Sequence, residues 1–146
     1  MTTTIAQFRG DYAFLSNFYR STVLYGGDLY PSSEAAFQAA KTLDPARRRP
    51  FQSMSPGEAK RAGRALPLRP DWEDVKLHVM AEVLTAKFSD PTLRAKLLAT
   101  GDAKLIEGNT WGDTFWGMCR GEGTNWLGVL LMDLRRQLRD RSEGDL

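Results

Sequence analysis

The pattern of apolar and polar residues predicts helices over most of the chain after residue 32. In DWEDVKLHVMAEVLTAKFSD (71–90), one stripe at helical spacing collects Trp72, Val75, Val79, Met80, Val83 and Leu84. In NWLGVLLMDLRRQLRD (125–140), one face collects Leu127, Leu130, Leu131, Leu134 and Leu138. Each segment is therefore expected to form a helix that buries one face in a core.

Shorter helices are predicted from the residues that end them. PSSEAAFQAAKTL (31–43) has Ser32 or Ser33 as N-cap and an acid, Glu34, in its first turn. Within the polar connection 44–66, Ser55 precedes Pro56, a pair typical of a helix start. PTLRAKLLATG (91–101) reads as another helix that ends at a glycine. The tail 141–146 is expected to fray.

The first thirty residues are expected to be extended. Their aromatic and β-branched pieces, YAFLSNFY and TVLY, are interrupted by Gly26–Gly27, which is a hairpin signal. The predicted fold class is therefore α+β. We expect a single, mostly helical domain over residues 1–146 with a small antiparallel sheet near the N-terminus.

Composition narrows the possible functions only a little. The 146 residues are 42% hydrophobic and 26% charged, as in ordinary globular proteins. The net charge of +2 is too small to indicate a nucleic-acid binder by itself, although it suits an anionic ligand. A single Cys and a single His leave no disulfide framework and no zinc cluster, so we expect no metal or cofactor. No signal peptide or membrane-spanning run is visible, which makes the cytoplasm the expected location.

The helix that begins near residue 33 carries the most informative side chains. Glu34, Phe37, Gln38 and Lys41 share one face because residues three, four and seven apart line up on a helix. An acid, an amide and an amine on one stripe can line a pocket. The alternative is an N-terminal acid beside a solvated polar edge.

Two further features have both a structural and a functional interpretation. Trp72 and Lys76 lie one turn apart, either as a core ring beside a lysine stem or as a stacking plate with a cation for phosphate. The loop NTWGDTFWG (109–117) places Asp113 among aromatic rings and glycines. Trp111 and Trp116 either plug the core beneath a structural turn or wall a ligand site.

Several separated motifs carry a resemblance to a known family. FLSNFY (14–19), YPSSEAAFQAAK (30–41), DWEDVKLHVM (71–80), NTWGDTFWG and GTNWLGVLLMDLR (123–135) follow one another in that order. Together they resemble the NADAR family of N-glycosidases, from Phe8 to about Leu138. One departure is Ala35, where the family commonly has a histidine after the motif glutamate. That histidine is therefore not essential, or the substrate differs.

The resemblance implies cleavage of an N-glycosidic bond to a ribose-type sugar. Family members act on phosphorylated riboflavin-pathway intermediates or remove ADP-ribose from modified guanine in nucleic acid. The residues that the family implicates fall on Glu34, Trp72 and Asp113. We expect an ADP-ribosyl guanine adduct as substrate, ahead of a riboflavin intermediate. A module that binds ADP-ribose without cleaving it is the further alternative.

The residue types suit that chemistry. Breaking a ribosyl C–N bond develops positive charge on the sugar, which Glu34 and Asp113 can stabilise while one of them activates water or protonates the base. Lys41 offers a second route, since a desolvated lysine can form a Schiff base with the opened ribose. Trp72 and Trp111 are candidates to stack on base or sugar. The other candidate substrate contacts are Arg9, Gly10, Phe14, Ser16, Asn17, Phe18, Gln38, Lys76, Gly112 and Asn125.

The expected partners follow from this interpretation. They are ADP-ribose or a phosphorylated ribosyl compound, with ADP-ribosylated DNA or RNA as the larger form. No membrane is expected, and the oligomeric state is left open.

Overall fold

The structure, a computed structural model, describes residues 3–144, and the chain divides into two units. The central unit is Asn17–Lys87, and the terminal unit combines Met1–Ser16 with Phe88–Leu146. The strands are β1 (Thr4–Ile5), β2 (Arg20–Tyr25), β3 (Asp28–Ser32), β4 (Lys104–Leu105), β5 (Gly108–Asn109) and β6 (Met118–Cys119). The helices are α1 (Ser33–Ala39), α2 (Pro45–Arg48), α3 (Pro56–Arg64), α4 (Trp72–Lys87), α5 (Pro91–Ala99) and α6 (Trp126–Gly144), with 3₁₀ helices over Gly10–Leu15 and Arg49–Ser53.

The central unit begins with the predicted antiparallel hairpin. Tyr25 pairs with Asp28, and Gly26 and Gly27 between them take φ angles of 60° and 86°. Most other residues reach such angles only at a cost in free energy. β3 runs directly into α1, where the Ser32 hydroxyl accepts a hydrogen bond from the Ala35 N–H at 3.0 Å. The hairpin therefore determines where α1 begins, and the prediction of Ser32 as a possible N-cap is confirmed.

Helix α1 lies at the centre of this unit. It packs against β3, α3 and α4, and its alanine face is at most 3% exposed at Ala35, Ala36, Ala39 and Ala40. On α4, the predicted stripe is buried at Trp72, Val79, Met80, Val83 and Leu84, while Val75 is half-buried. The helical spacing thus identified the packed face of α4.

The connection after α1 is more ordered than its polarity suggested. As predicted, Ser55 caps α3, since its hydroxyl accepts from the Glu58 N–H at 3.2 Å while the Glu58 side chain accepts from the Ser55 N–H at 3.0 Å. Upstream of this capping box, α2 and a 3₁₀ helix occupy residues that we expected to be irregular. Phe51 is buried at 2% exposure and packs these helices onto the unit. The sequence did not predict them, because a single aromatic residue in an arginine-rich stretch gives no helical periodicity.

The terminal unit contains two parallel strand pairs that the sequence did not predict. Thr4 pairs with Lys104 in β1 and β4, and Gly108 pairs with Met118 in β5 and β6. These pairs are two residues long, too short for an alternating pattern, and β1 and β4 are far apart in the chain. Helix α6 packs on β4 and α5. Of its predicted leucine face, Leu130 is half-buried and the others are buried.

One expectation about local structure was wrong. Residues 10–15, which were expected to be extended, form a 3₁₀ helix that starts at Gly10 with a φ of 57° and buries Phe14 and Leu15. Aromatic residues favour strands only where a sheet surface receives them. Helix α6 is described as far as Gly144, and the expected fraying of the tail 141–146 stays a prediction. Residues 145 and 146 lie outside the described residues.

Between residues 3 and 144, no helix is both long and apolar enough to cross a membrane. The cytoplasmic location and the single-domain organisation both stay predictions.

Candidate active site

Glu34 is held by the residue that ends the FLSN motif. The Glu34 N–H donates to the backbone carbonyl of Asn17 at 3.1 Å, and the Ser33 hydroxyl donates to Asn17 Oδ1 at 2.9 Å. Asn17 Nδ2 lies 3.6 Å from the sulfur of Met80, and the residue is 8% exposed. Asn17 was predicted to contact substrate. In the structure its side chain instead braces the first turn of α1 and thereby positions Glu34.

Glu34 and Gln38 form a buried pair on α1. They are 7% and 6% exposed, and Gln38 Nε2 donates to Glu34 Oε1 at 2.9 Å. The predicted alignment of residues four apart is therefore confirmed. The alternative of a solvated polar edge is wrong for these two residues, because water reaches little of either side chain.

Lys41 lies just beyond the end of α1, so it is not on the helix as predicted. Its N–H donates to the Gln38 carbonyl at 3.2 Å, and its own carbonyl accepts from the Arg69 N–H at 2.8 Å. Burial lowers the pKa of the Lys41 amine, the negative charge of Glu34 opposes that change, and Arg64 and Lys76 reinforce it. Glu34, Gln38 and Lys41 are thus brought together within the central unit.

Trp72 is a buried ring. It is 5% exposed and packs on Phe37, with ring centroids 5.1 Å apart and planes inclined by 56°. The ring therefore packs against α1 with little exposed surface, as in the core interpretation, and stacking on a substrate stays a prediction. Lys76 Nζ lies 2.7 Å from Glu73 Oε2, one turn before it.

An exposed aromatic ring with a neighbouring cation occurs instead at Phe18. Phe18 is 45% exposed, and Lys60 Nζ of α3 lies 5.8 Å from its ring centroid. Such a pair can receive a flat group and an anionic group side by side. The sequence predicted Phe18 as a contact but missed Lys60, because the two are separated by 42 positions along the chain.

Lys87, at the end of α4, was also missed. Its side chain is 0% exposed, its Nζ lies 5.7 Å from the Tyr19 ring centroid, and burial lowers its pKa to about 7. In the sequence it reads as an ordinary lysine in the last turn of a helix, where positive charge is favoured.

The NTWGDTFWG loop of the terminal unit is tied down by two side chains. Asn109 Nδ2 donates to the Asp113 carbonyl at 2.8 Å, and Asn109 Oδ1 accepts from the Asp113 N–H at 3.0 Å. Asp113 Oδ1 accepts from the N–H groups of Phe115 and Trp116 at 3.0 and 2.9 Å. Asp113 therefore has a structural task that it performs with one carboxylate oxygen.

The two loop tryptophans differ in exposure. Trp111 is 58% exposed and precedes Gly112, whose φ is 87°. A core plug is therefore wrong for Trp111. Trp116 is half-buried, stands edge-on to Phe115 at 4.8 Å, and accepts a hydrogen bond through its backbone carbonyl from the Leu127 N–H at 2.9 Å. The loop thus presents Trp111 and uses Trp116 for packing.

The remaining candidates of the terminal unit fall into two groups. Arg9 and Gly10 are exposed, and Ser16 is half-buried. Phe14 is a core residue at 5% exposure, edge-on to Phe88 at 6.5 Å, and its assignment as a substrate contact stays a prediction.

Asn125 likewise proves to be a structural brace. Its Nδ2 donates to the Leu105 carbonyl at 2.9 Å, and its Oδ1 accepts from the Glu107 N–H at 2.9 Å. Both ends of the amide thus bond to the backbone, and a contact of Asn125 with substrate stays a prediction. Asn125 also holds a positive φ of 55°, an angle that asparagine tolerates better than most residues.

Comparisons with known proteins agree with the predicted resemblance. The NADAR domain family matches residues 6–139. The N-glycosidase YbiA of Escherichia coli (strain K12) is 47% identical over 133 residues, covering 88% of this chain and 82% of that protein. A riboflavin biosynthesis protein of Vibrio vulnificus (strain YJ016) is 35% identical over 141 residues, covering 93% of this chain and 38% of that protein. The NMR structure of E. coli YbiA matches with a TM-score of 0.85 at 43% identity, covering 97% of this chain and 89% of that one.

Proposed function

Because this chain belongs to the NADAR family, we propose that it is an N-glycosidase that breaks a ribosyl C–N bond, with ADP-ribose on a guanine of nucleic acid as its substrate. The observation that carries the activity is the buried Glu34, held by Gln38 beside Lys41. A module that only binds sugar phosphates has no need of a buried carboxylate and a lysine whose pKa is lowered.

The proposed reaction uses the carboxylates first. As the C–N bond breaks, positive charge grows on the ribose, and a fixed carboxylate stabilises it better than water can. Glu34 is the carboxylate that supplies the negative charge. Asp113 remains the second carboxylate expected from the sequence, and its hydrogen bonds to the Phe115 and Trp116 N–H groups both go to Oδ1.

Lys41 supports a covalent route. Its lowered pKa increases the fraction of neutral amine near neutral pH, and only that form is nucleophilic. Opening of the ribose ring leaves C1 joined to the base nitrogen by a C=N bond. The amine adds to C1, and the base then leaves with a proton, so that a C=N bond joins Lys41 to C1. Water then adds to this bond, which releases the sugar and returns the amine. Direct attack by water on the closed sugar is the competing route.

The charge around α3 favours a polynucleotide over a small substrate. Residues 44–64 contain six lysine and arginine side chains and two acidic ones. Arg47, Arg49, Arg61 and Arg64 are exposed. Cations concentrated in this way attract a phosphate backbone without reading its sequence. Phe18 beside Lys60 adds an aromatic surface for an unstacked base.

A direct assay separates the candidate substrates. The protein is incubated with an oligonucleotide ADP-ribosylated on guanine and, separately, with the amino-pyrimidine ribosyl phosphate of the riboflavin pathway, and the products are identified by mass spectrometry. Release of ADP-ribose from the oligonucleotide is expected. Release from the small phosphate alone would overturn the substrate assignment, and binding without release from either would overturn the activity.

A charge variant sharpens this assay. Arg49→Gln with Arg61→Gln should lower the rate on the oligonucleotide several-fold at low salt, because fewer phosphates are neutralised. The rate on a small phosphate should not change. Arg94→Gln, which alters an exposed arginine of α5, serves as the control. An equal loss on both substrates would contradict a backbone-binding role for this segment.

Riboflavin intermediates are the second candidate, and one observation favours them. The Vibrio vulnificus relative is named a riboflavin biosynthesis protein, although this chain spans 38% of its length. The same assay decides between the two substrates.

A further inference from the structure

Among residues 3–144, the side-chain amide of Gln38 makes one hydrogen bond, and that bond goes to Glu34. Nε2 donates to Glu34 Oε1 at 2.9 Å, while Oε1 of the same amide is buried without a hydrogen-bond partner among the described residues. A buried carbonyl without a partner costs free energy. The reverse orientation of the amide would bring two acceptor oxygens together whenever Glu34 is ionised. The observed orientation therefore stabilises the carboxylate at the expense of the carbonyl.

Gly63 provides the space for this arrangement. It lies in α3, and a Cβ on it would overlap Gln38 Oε1 and lie 2.6 Å from Gln38 Cδ. Glycine inside a helix destabilises it relative to alanine. A glycine at this point of α3 is therefore explained by the amide that occupies the space beside it.

We propose that Gln38 is a positioning residue, whose amide, seated against Gly63, holds Glu34 in one rotamer and as an ionised carboxylate. This proposal rests on the proposed function, and it gives Glu34 a definite part in it. A carboxylate that already accepts from an amide stabilises positive charge on the sugar or receives a proton from water. Protonation of the leaving base then belongs to another group.

The charged groups at this end of the central unit come from three elements. Lys41 follows α1, Arg64 lies on α3 and Lys76 lies on α4. The charges of Glu34, Arg64 and Lys76 act on the pKa of the Lys41 amine. A Glu34 that stays ionised opposes the effects of burial and of the two other cations. Gln38 thus acts on Lys41 through Glu34.

The first test removes the donor and keeps the volume. Gln38→Met should lower kcat about tenfold, which corresponds to the loss of one charge-assisted hydrogen bond, with a smaller change in KM. The acid side of the pH–rate profile should move to higher pH, because the carboxylate then protonates more easily. Gln137→Met is the matched control, since Gln137 bonds Asp133 four residues earlier at 2.9 Å on an exposed face. An unchanged rate and profile in Gln38→Met would overturn the proposal.

The second test uses a double-mutant cycle. Gly63→Ala should lower kcat in the presence of Gln38, because the new methyl group displaces the amide. In a Gln38→Ala background the same change should have little further effect, since the nearest remaining approach, to Gln38 Cβ, is 3.2 Å. Equal losses of kcat in both backgrounds would mean that Gly63 acts independently of Gln38. The proposed packing of the Gln38 amide against Gly63 would then be wrong.

The third test does not require substrate. In an NMR titration, the Glu34 side-chain carboxyl should titrate at higher pH in Gln38→Met than in the unmodified protein. In Gln137→Met, the pH at which Glu34 titrates should not change. If neither substrate is cleaved but this difference is observed, the proposed function fails while the positioning of Glu34 stands. If substrate is cleaved and the Glu34 titration is the same in both proteins, the positioning role fails alone.

Discussion

Glu34, the carboxylate that we propose for catalysis, is held in place by its neighbours. Its N–H is held by Asn17, its carboxylate by Gln38, and its helix start by Ser32. Two of these bonds join residues three or four positions apart, whereas the bond to Asn17 spans 17 positions. Fixing the side chain in this way avoids an entropic cost during the reaction.

Replacing either carboxylate by its amide should abolish most activity without unfolding the protein. Glu34→Gln and Asp113→Asn keep the side-chain size, and Asn at 113 retains the Oδ1 acceptor that ties the loop. Turnover should fall by at least ~100-fold, the scale of a positioned acid or base. Glu122→Gln, at an exposed position, is the control for both, with circular dichroism to verify folding. Near-normal turnover in both variants would contradict the assignment.

Lys41 can be tested by trapping. If it forms a Schiff base, borohydride added during turnover should leave a sugar adduct on the peptide that contains Lys41, detectable by mass. Trapping should increase with pH through the lowered pKa, because the neutral amine is the reactive form. The peptide with exposed Lys104 should stay unmodified. Full activity of Lys41→Ala would remove the residue from the mechanism.

At the scale of elements, different residues of the NTWGDTFWG loop expose an aromatic ring and hold the backbone in place. Asn109 and Asp113 tie its backbone with four hydrogen bonds between side chain and main chain. Gly112 supplies a positive φ beside Trp111. A loop with so many internal bonds can hold an exposed ring in place without a regular strand or helix.

The two loop tryptophans should therefore respond differently to truncation. Trp111→Ala should lower substrate affinity and rate with little change in melting temperature, since substitutions of exposed residues usually change stability by about 0.5 kcal/mol or less. Trp116→Ala should lower the melting temperature more, because a half-buried ring is lost. Thermal unfolding and steady-state kinetics measure both effects. A Trp111→Ala protein that melts far lower yet cleaves normally would show that Trp111 supports the core.

At the scale of the whole molecule, one buried charge connects stability to pH. Lys87 has a pKa of about 7 in the folded chain, against an ordinary value of 10.5. Below pH 7 both folded and unfolded chains carry the proton, and the folded state bears the full cost of burying the charge. Between about 7 and 10.5 the unfolded chain holds more protons, so stability rises with pH through that window.

The slope of stability against pH should therefore depend on Lys87. Chemical denaturation at several pH values between 6 and 9 should show rising stability in the unmodified protein, on the order of 1 kcal/mol per pH unit at most. Lys87→Met should flatten that rise, whatever its effect on absolute stability. Lys104→Met, at an exposed position, should retain it. Equal slopes in all three proteins would show that Lys87 stays protonated in the folded chain.

The sequence by itself determined what depends on neighbours within a few residues. The Gly26–Gly27 hairpin, an N-cap at Ser32 or Ser33, the N-cap at Ser55 and the faces of α4 and α6 all follow from local geometry and were predicted. The order of separated motifs identified the family. The alignment of Glu34 with Gln38 was predicted for the same reason, since helix spacing is local.

The tertiary structure decided everything that depends on burial and on distant partners. It buried the ring of Trp72 and left the ring of Trp111 exposed, although the sequence suggested a stacking role for both. It paired Lys60 with Phe18, buried Lys87, and set Gly63 against Gln38. Local patterns record which side chains can share a face of one element. Burial and pairing between elements depend on how those faces pack. Only that packing shows that Glu34 and Gln38 form a buried pair and not a solvated edge.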